Sequence, residues 1–250
     1  SIATPIGSIA SLAAQIMAGS AIFVALGMDG TLGAVAATIV VLAYSCLSGL
    51  WGAQMTSVIQ VGIILVSLIL ATIVIFSQGA ASVLGALPAA SFQLLPFDSA
   101  LWVAMVVPSI TVAFVDQSIF QRLASGRSEK ASCLGHVLGG LIMVPLAFLP
   151  VLIGMYGKAL YPAADSASVF WLVTLEHMPS IIAALLVAAV LAAVMSTCDC
   201  IFLAISATTI HDIYKGMLNP NASDALCSRL ANLVNIVAGA FSLLVALKMT

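Results

Sequence analysis

Apolar side chains run along this chain in long, nearly unbroken stretches separated by short polar punctuation. A bilayer core of ~30 Å takes about 20 consecutive apolar residues as one helix, and seven stretches reach that length: roughly 7 to 26, 32 to 50, 54 to 77, 101 to 121, 134 to 155, 181 to 212 and 226 to 249. They are too long and too uniform for the ~10-residue in-and-out alternation of an outer-membrane barrel. The pattern therefore predicts an all-α polytopic membrane protein, a single transmembrane domain over residues 1–250 with about seven helices. Turn-forming residues mark the breaks: Met28-Asp29-Gly30, Leu95-Pro96-Phe97-Asp98, Tyr161-Pro162, Met178-Pro179 and Asn219-Pro220-Asn221. Residues 78–100 and 156–180 are the long connections, each with room for a short surface helix.

Composition narrows the class further. With 63% hydrophobic and 6% charged residues, against about 45–50% and about 25% in soluble domains, a soluble globular protein is excluded. A formal net charge of -2 leaves no basic surface for a nucleic acid, so the expected surroundings are a lipid bilayer. Cys46, Cys133, Cys198, Cys200 and Cys227 form no C-x-x-C pair, which argues against a zinc cage or a disulfide framework. The chain opens at Ser1 without a basic leader and closes at Thr250 inside an apolar run, as a piece of a larger membrane protein would. Arg122, Arg127 and Lys130 follow the fourth stretch, and Lys215 and Arg229 flank the connection of the sixth to the seventh, whereas the opposite side collects only Lys158 and Lys248. The excess of positive charge places the first two groups in the cytoplasm and the C-terminal end outside. The glycosylation pattern Asn221-Ala222-Ser223 then falls on the cytoplasmic side and is discounted. The expected location is a cell membrane, either a bacterial inner membrane or a plasma membrane.

Two carboxylates, Asp116 and Asp199, fall within apolar stretches, where each costs at least ~2.5–3.5 kcal/mol at a helix centre. Either they serve an ion or a solute, or a neighbouring helix satisfies them and they hold the bundle together. The sixth stretch reads Ala-Ala-Val-Met-Ser-Thr-Cys-Asp-Cys over residues 192–200. Positions 193, 196, 197 and 200 share one helix face, which sets the hydroxyls of Ser196 and Thr197 beside the backbone carbonyl of Ala193. A hard monovalent cation such as sodium takes a shell of such oxygens, by the logic that governs calcium and magnesium. One helix supplies part of a shell, and the rest must come from a second helix whose carbonyls a break has freed. The competing reading is that both hydroxyls bond back to i−4 carbonyls or join helices. Cys198 and Cys200 point in different directions and make no metal pair. In the fourth stretch, Pro108 frees a carbonyl and permits a kink. A kinked helix carrying Asp116 and Gln117 suggests a solute pathway, while the plainer alternative is a polar cytoplasmic end with Arg122 at the interface.

These motifs resemble those of the sodium:solute symporter family. The segment from Tyr44 to Gln60, YSCLSGLWGAQMTSVIQ, is similar to the family's Y-T-x-x-G-G-L-x-A-V-x-x-T-D-x-x-Q, placed at the turn between the second and third stretches. Asp116-Gln117 with Gln121-Arg122 resembles its D-Q-x-x-x-Q-R, residues 195–199 resemble M-S-T-x-D, and Asp212-Ile213-Tyr214-Lys215 resembles D-I-Y-K. The resemblance implies the LeuT-type architecture of two inverted five-helix repeats around a central site. The seven stretches would be core helices three to nine, with core helices one, two and ten outside this fragment, which alone would not transport. It also implies a sodium site formed by the Ala193 carbonyl and the Ser196 and Thr197 hydroxyls, with Asp116 and Gln117 near the solute cavity. Two departures bear on a further sodium: the family's third-helix Asp is Ser57 here, and the Ser after the sixth-stretch Asp is Cys200. Asp199 offers a compensating charge about one turn from Ser196.

The function this reading leads to is sodium-coupled symport of a small organic solute by alternating access, with Na+ as coupling ion. One rival is proton coupling through Asp116 or Asp199. A rival of another class is an intramembrane aspartyl protease, but the expected G-x-G-D and Y-D settings are absent, because Asp199 follows Cys198 and Asp116 follows Val115.

Overall fold

The computed structural model describes residues 3–93 and 99–249. The expected break at Leu95-Pro96-Phe97-Asp98 lies outside the described residues. Among those described the structure is helical throughout, without strands, in the order α1 (Ala3–Ala25), α2 (Gly30–Ser77), α3 (Ala80–Gly85), a 3-10 turn (Ala89–Phe92), α4 (Ser99–Val115), α5 (Gln117–Ala124), α6 (Glu129–Leu160), α7 (Ser166–His177), α8 (Ser180–Ala207), a π-helical continuation (Thr208–Leu218) and α9 (Asp224–Met249). Among the described residues, six helical segments are long and apolar enough to cross a membrane, and Gly30–Cys46 is a shorter apolar helix. The short helices α3 and α7 occupy the two long connections.

The chain divides into two compact units. The first comprises residues 1–67 and 184–250. Its core joins α1, α2, α8 and α9 through Leu12, Ile16, Val41, Val194, Phe202 and Ala246. Small residues let these helices approach: a Cβ on Gly19 would lie 3.0 Å from that of Ala37 on α2. The Ser242 hydroxyl of α9 donates to the Ile9 carbonyl of α1 at 3.2 Å.

The second and third apolar stretches form one helical run, where the motif suggested a turn between them. A straight helix would separate residues 44 and 56 by about 18 Å, yet the hydroxyls of Tyr44 and Thr56 are in hydrogen-bond contact. Ser45 meets Asp199 and Ser57 meets Ser196, so both halves of α2 reach the same turn of α8. Beyond that point Ser67 donates to the Leu185 carbonyl at 3.0 Å. Between Ser57 and Ser67 the returning half therefore runs antiparallel to α8. The reversal falls between Ser45 and Thr56.

The second unit comprises residues 68–183. Here α6 and α7 pack at Gly157, where an added Cβ would sit 2.5 Å from Val173 and 2.6 Å from Val169 side-chain carbons. Past the end of α6, the Tyr161 hydroxyl donates to the Glu176 carboxylate and lies 2.9 Å from His177 Nε2. That hydrogen bond, followed by burial, raises the Tyr161 pKa from its usual value. The fourth stretch is not one kinked helix. α4 passes through Pro108 uninterrupted, and the chain breaks at Asp116, which has extended backbone (φ -70, ψ 113).

Candidate functional site

The last turns of α8 before Ala207 hold the cluster that the sequence singles out, and its oxygens are ordered by their protons. The Thr197 hydroxyl donates to the Ala193 carbonyl at 2.9 Å. This is the i−4 back-bond of the competing reading, but it does not oppose ion binding. A hydroxyl that sends its proton backward keeps both lone pairs, while the carbonyl, which also accepts the Thr197 backbone N–H along the helix, is already bonded twice. Ala193 and Thr197 are exposed and Ser196 is half-buried, so the hydroxyl oxygens remain accessible on one side of α8.

Beside this face the returning half of α2 adds one hydroxyl. Ser57 donates to its own Ala53 carbonyl at 2.7 Å and lies 3.4 Å from the Ser196 hydroxyl. The structure thus brings Ser57, one of the two altered family positions, to the cluster. The other, Cys200, donates its thiol to the Ser196 carbonyl at 3.0 Å, tightening the helix without adding a hard oxygen donor.

Asp199 is 1% exposed. Its Oδ1 accepts from the Ser45 hydroxyl at 2.5 Å, a short charge-assisted bond. Asp199 follows Ser196 by three residues and lies about one helical turn away.

Two neighbours were missed by sequence reasoning. Ser45 lies 154 residues from its partner, and no local pattern connects them. Gln60, 8% exposed, has an amide oxygen without a hydrogen-bond partner. Counting along the antiparallel helices from Ser57 against Ser196, it is level with Ala193. Its place one turn after Ser57, on the face that also carries Ala53 and Ser67, was the available signal.

Asp116 and Gln117 belong to the other unit. Asp116 is not a mid-helix carboxylate: it caps α5, its Oδ1 accepting from the Ser118 backbone N–H at 2.7 Å and the Ser118 hydroxyl at 2.6 Å. Gln117 opens α5 and is half-buried. No group of three or more His, Cys, Asp or Glu suited to a metal ion occurs among the described residues.

The profile of the sodium:solute symporter family matches residues 2–250. No curated protein matches the chain. Among solved structures, the chain is similar to one described as the substrate-bound outward-open state of a Na+-coupled sialic acid symporter, which revealed a novel Na+ site in that protein. The TM-score is 0.84 at 22% identity, over 99% of this chain and 57% of that one. The likeness establishes a shared fold over the matched part, and this chain spans a little over half of that protein's length.

Proposed function

The chain belongs to the sodium:solute symporter family, and on that premise we propose that the complete protein couples sodium entry to the uptake of a small organic solute by alternating access. The observation that carries the proposal is the oriented hydroxyl on α8: Thr197, its proton committed to the Ala193 carbonyl at 2.9 Å, presents its oxygen lone pairs on an exposed face beside Ser196. These three residues are the protein's part of a sodium shell. Ser57 and Asp199 are accessory, one through a hydroxyl 3.4 Å from that of Ser196, the other through its charge. The remaining oxygens fall to the broken first core helix of the family, outside residues 1–250.

Sodium on these oxygens stabilises the outward-open arrangement and raises solute affinity, and by linkage solute raises sodium affinity by the same factor. The gradient and the membrane potential, the latter about 2.3 kcal/mol per charge per 100 mV, then drive accumulation across the cell membrane. Asp116 and Gln117 serve the solute pathway, where the α5 cap holds the carboxylate in one rotamer.

The test is uptake by the complete protein of labelled proline, pantothenate, choline, acetate, glucose and sialic acid, with and without sodium. Ser196→Ala with Thr197→Ala should raise the sodium concentration for half-maximal uptake about tenfold or more, the loss of oxygens worth about 1.4 kcal/mol or more. Unchanged sodium dependence refutes the site. Sodium-free uptake driven by a pH gradient refutes the coupling ion in favour of protons.

A further inference from the structure

The Asp199 carboxylate is enclosed in an apolar helix, and the hydroxyl that meets it comes from a distant part of the chain. Ser45 stands on the outgoing half of α2, donates to Asp199 Oδ1 at 2.5 Å, and precedes the reversal that returns Ser57 to within 3.4 Å of Ser196. Next to Ser45, Tyr44 contacts Thr56, the neighbour of Ser57. Thr56 is anchored to its own helix through the Gly52 and Ala53 carbonyls at 3.0 and 3.1 Å. Two adjacent residues before the bend are therefore paired, one with α8 and one with the residue beside Ser57.

We infer that Ser45 is a positioning residue of the cation site: its hydroxyl fixes the Asp199 carboxylate one turn from Ser196, so that the negative charge faces the oxygen cluster at a constant distance. The inference rests on the sodium-site reading above and deepens it. A carboxylate has two oxygens and a rotatable χ2, and the Ser45 donor on Oδ1 narrows the orientations its charge takes in an interior that screens it weakly. Partners that orient metal-site groups without touching the metal change affinity by about 10–100-fold when removed. The low end of that range fits an effect transmitted through one hydrogen bond. Tyr44 and Thr56 complete the arrangement by holding the bend closed.

The experiment is equilibrium binding of radiolabelled sodium to the complete, detergent-purified protein, which needs no knowledge of the solute. Ser45→Ala should weaken sodium binding about tenfold, and Ser45→Thr, which keeps the donor, should restore most of it. Asp199→Asn should weaken binding more, and adding Ser45→Ala to it should cost little further, because the hydroxyl acts through the charge. A merely structural serine would give additive losses. Wild-type affinity in Ser45→Ala, equal loss in Ser45→Ala and Ser45→Thr, or a full additional loss in the double variant overturns the inference. If Thr197→Ala weakens binding while Ser45→Ala does not, the positioning role fails and the sodium site stands. If the unaltered protein binds no sodium saturably, the sodium-site reading fails and this inference with it.

Discussion

At the scale of single residues, the account turns on where protons point. Thr197 donates to Ala193, so a substitution that keeps the hydroxyl should differ sharply from one that removes it. Thr197→Ser should retain sodium dependence near that of the native protein, whereas Thr197→Ala should shift half-maximal activation about tenfold upward, or about 1.4 kcal/mol; sodium titrations of uptake or binding compare the two. Asp116 gives a second separation, of cap from charge. Asn caps helices as well as Asp does, and Ala costs about 0.5–2 kcal/mol at that position. Asp116→Asn should therefore leave thermal stability unchanged and weaken solute affinity, while Asp116→Ala lowers both; unaltered solute affinity in Asp116→Asn would remove the carboxylate from the solute pathway. The sequence contained the face shared by residues 193, 196 and 197, because helical periodicity is local. It did not contain the role of Asp116. An Asp amid apolar residues reads as a buried charge, and only the backbone break and the Ser118 donors make it a cap.

At the scale of elements, apolar runs located the helices well, since the membrane's thickness sets their length. Joins between helices were harder to read. A Gly/Ser-rich stretch permits a turn and equally tolerates helix, and the chain is helical on both sides of a reversal that falls between Ser45 and Thr56. Pro108 does not end its helix: α4 runs through it to Val115, and the break falls at Asp116. Close helix approach yields its own prediction. A Cβ on Gly33 would come within 2.7 Å of Phe23 Cβ, a rigid point of the side chain, whereas on Gly239 it would meet chiefly the terminal methyls of Leu42. Overpacking costs typically about 1–3 kcal/mol, so Gly33→Ala should lower the unfolding midpoint of the purified protein clearly and Gly239→Ala should lower it less. Equal shifts would contradict the packing described for α1 against α2.

At the scale of the whole molecule, composition alone identified a membrane protein, and the distribution of Lys and Arg proposes an orientation. Cys133 lies exposed in the first turns of α6, next to Arg127 and Lys130. In a variant keeping only this cysteine, an impermeant maleimide should label it in inside-out vesicles and not in right-side-out ones; the reverse pattern would invert the topology. Pairings that the fold makes over long sequence distances, such as Ser45 with Asp199 and Ser57 with Ser196, could not be read from one sequence, because helix periodicity carries no information about which helices meet. Those pairings turn an oxygen-bearing helix face into a site with a charge behind it. The most direct test is a high-resolution map of the complete protein prepared in sodium and again in potassium. The account predicts a sodium-dependent density coordinated by the Ala193 carbonyl and the Ser196 and Thr197 hydroxyls, absent in potassium. Finding those oxygens against acyl chains, with no space for an ion between them and a neighbouring helix, would contradict it.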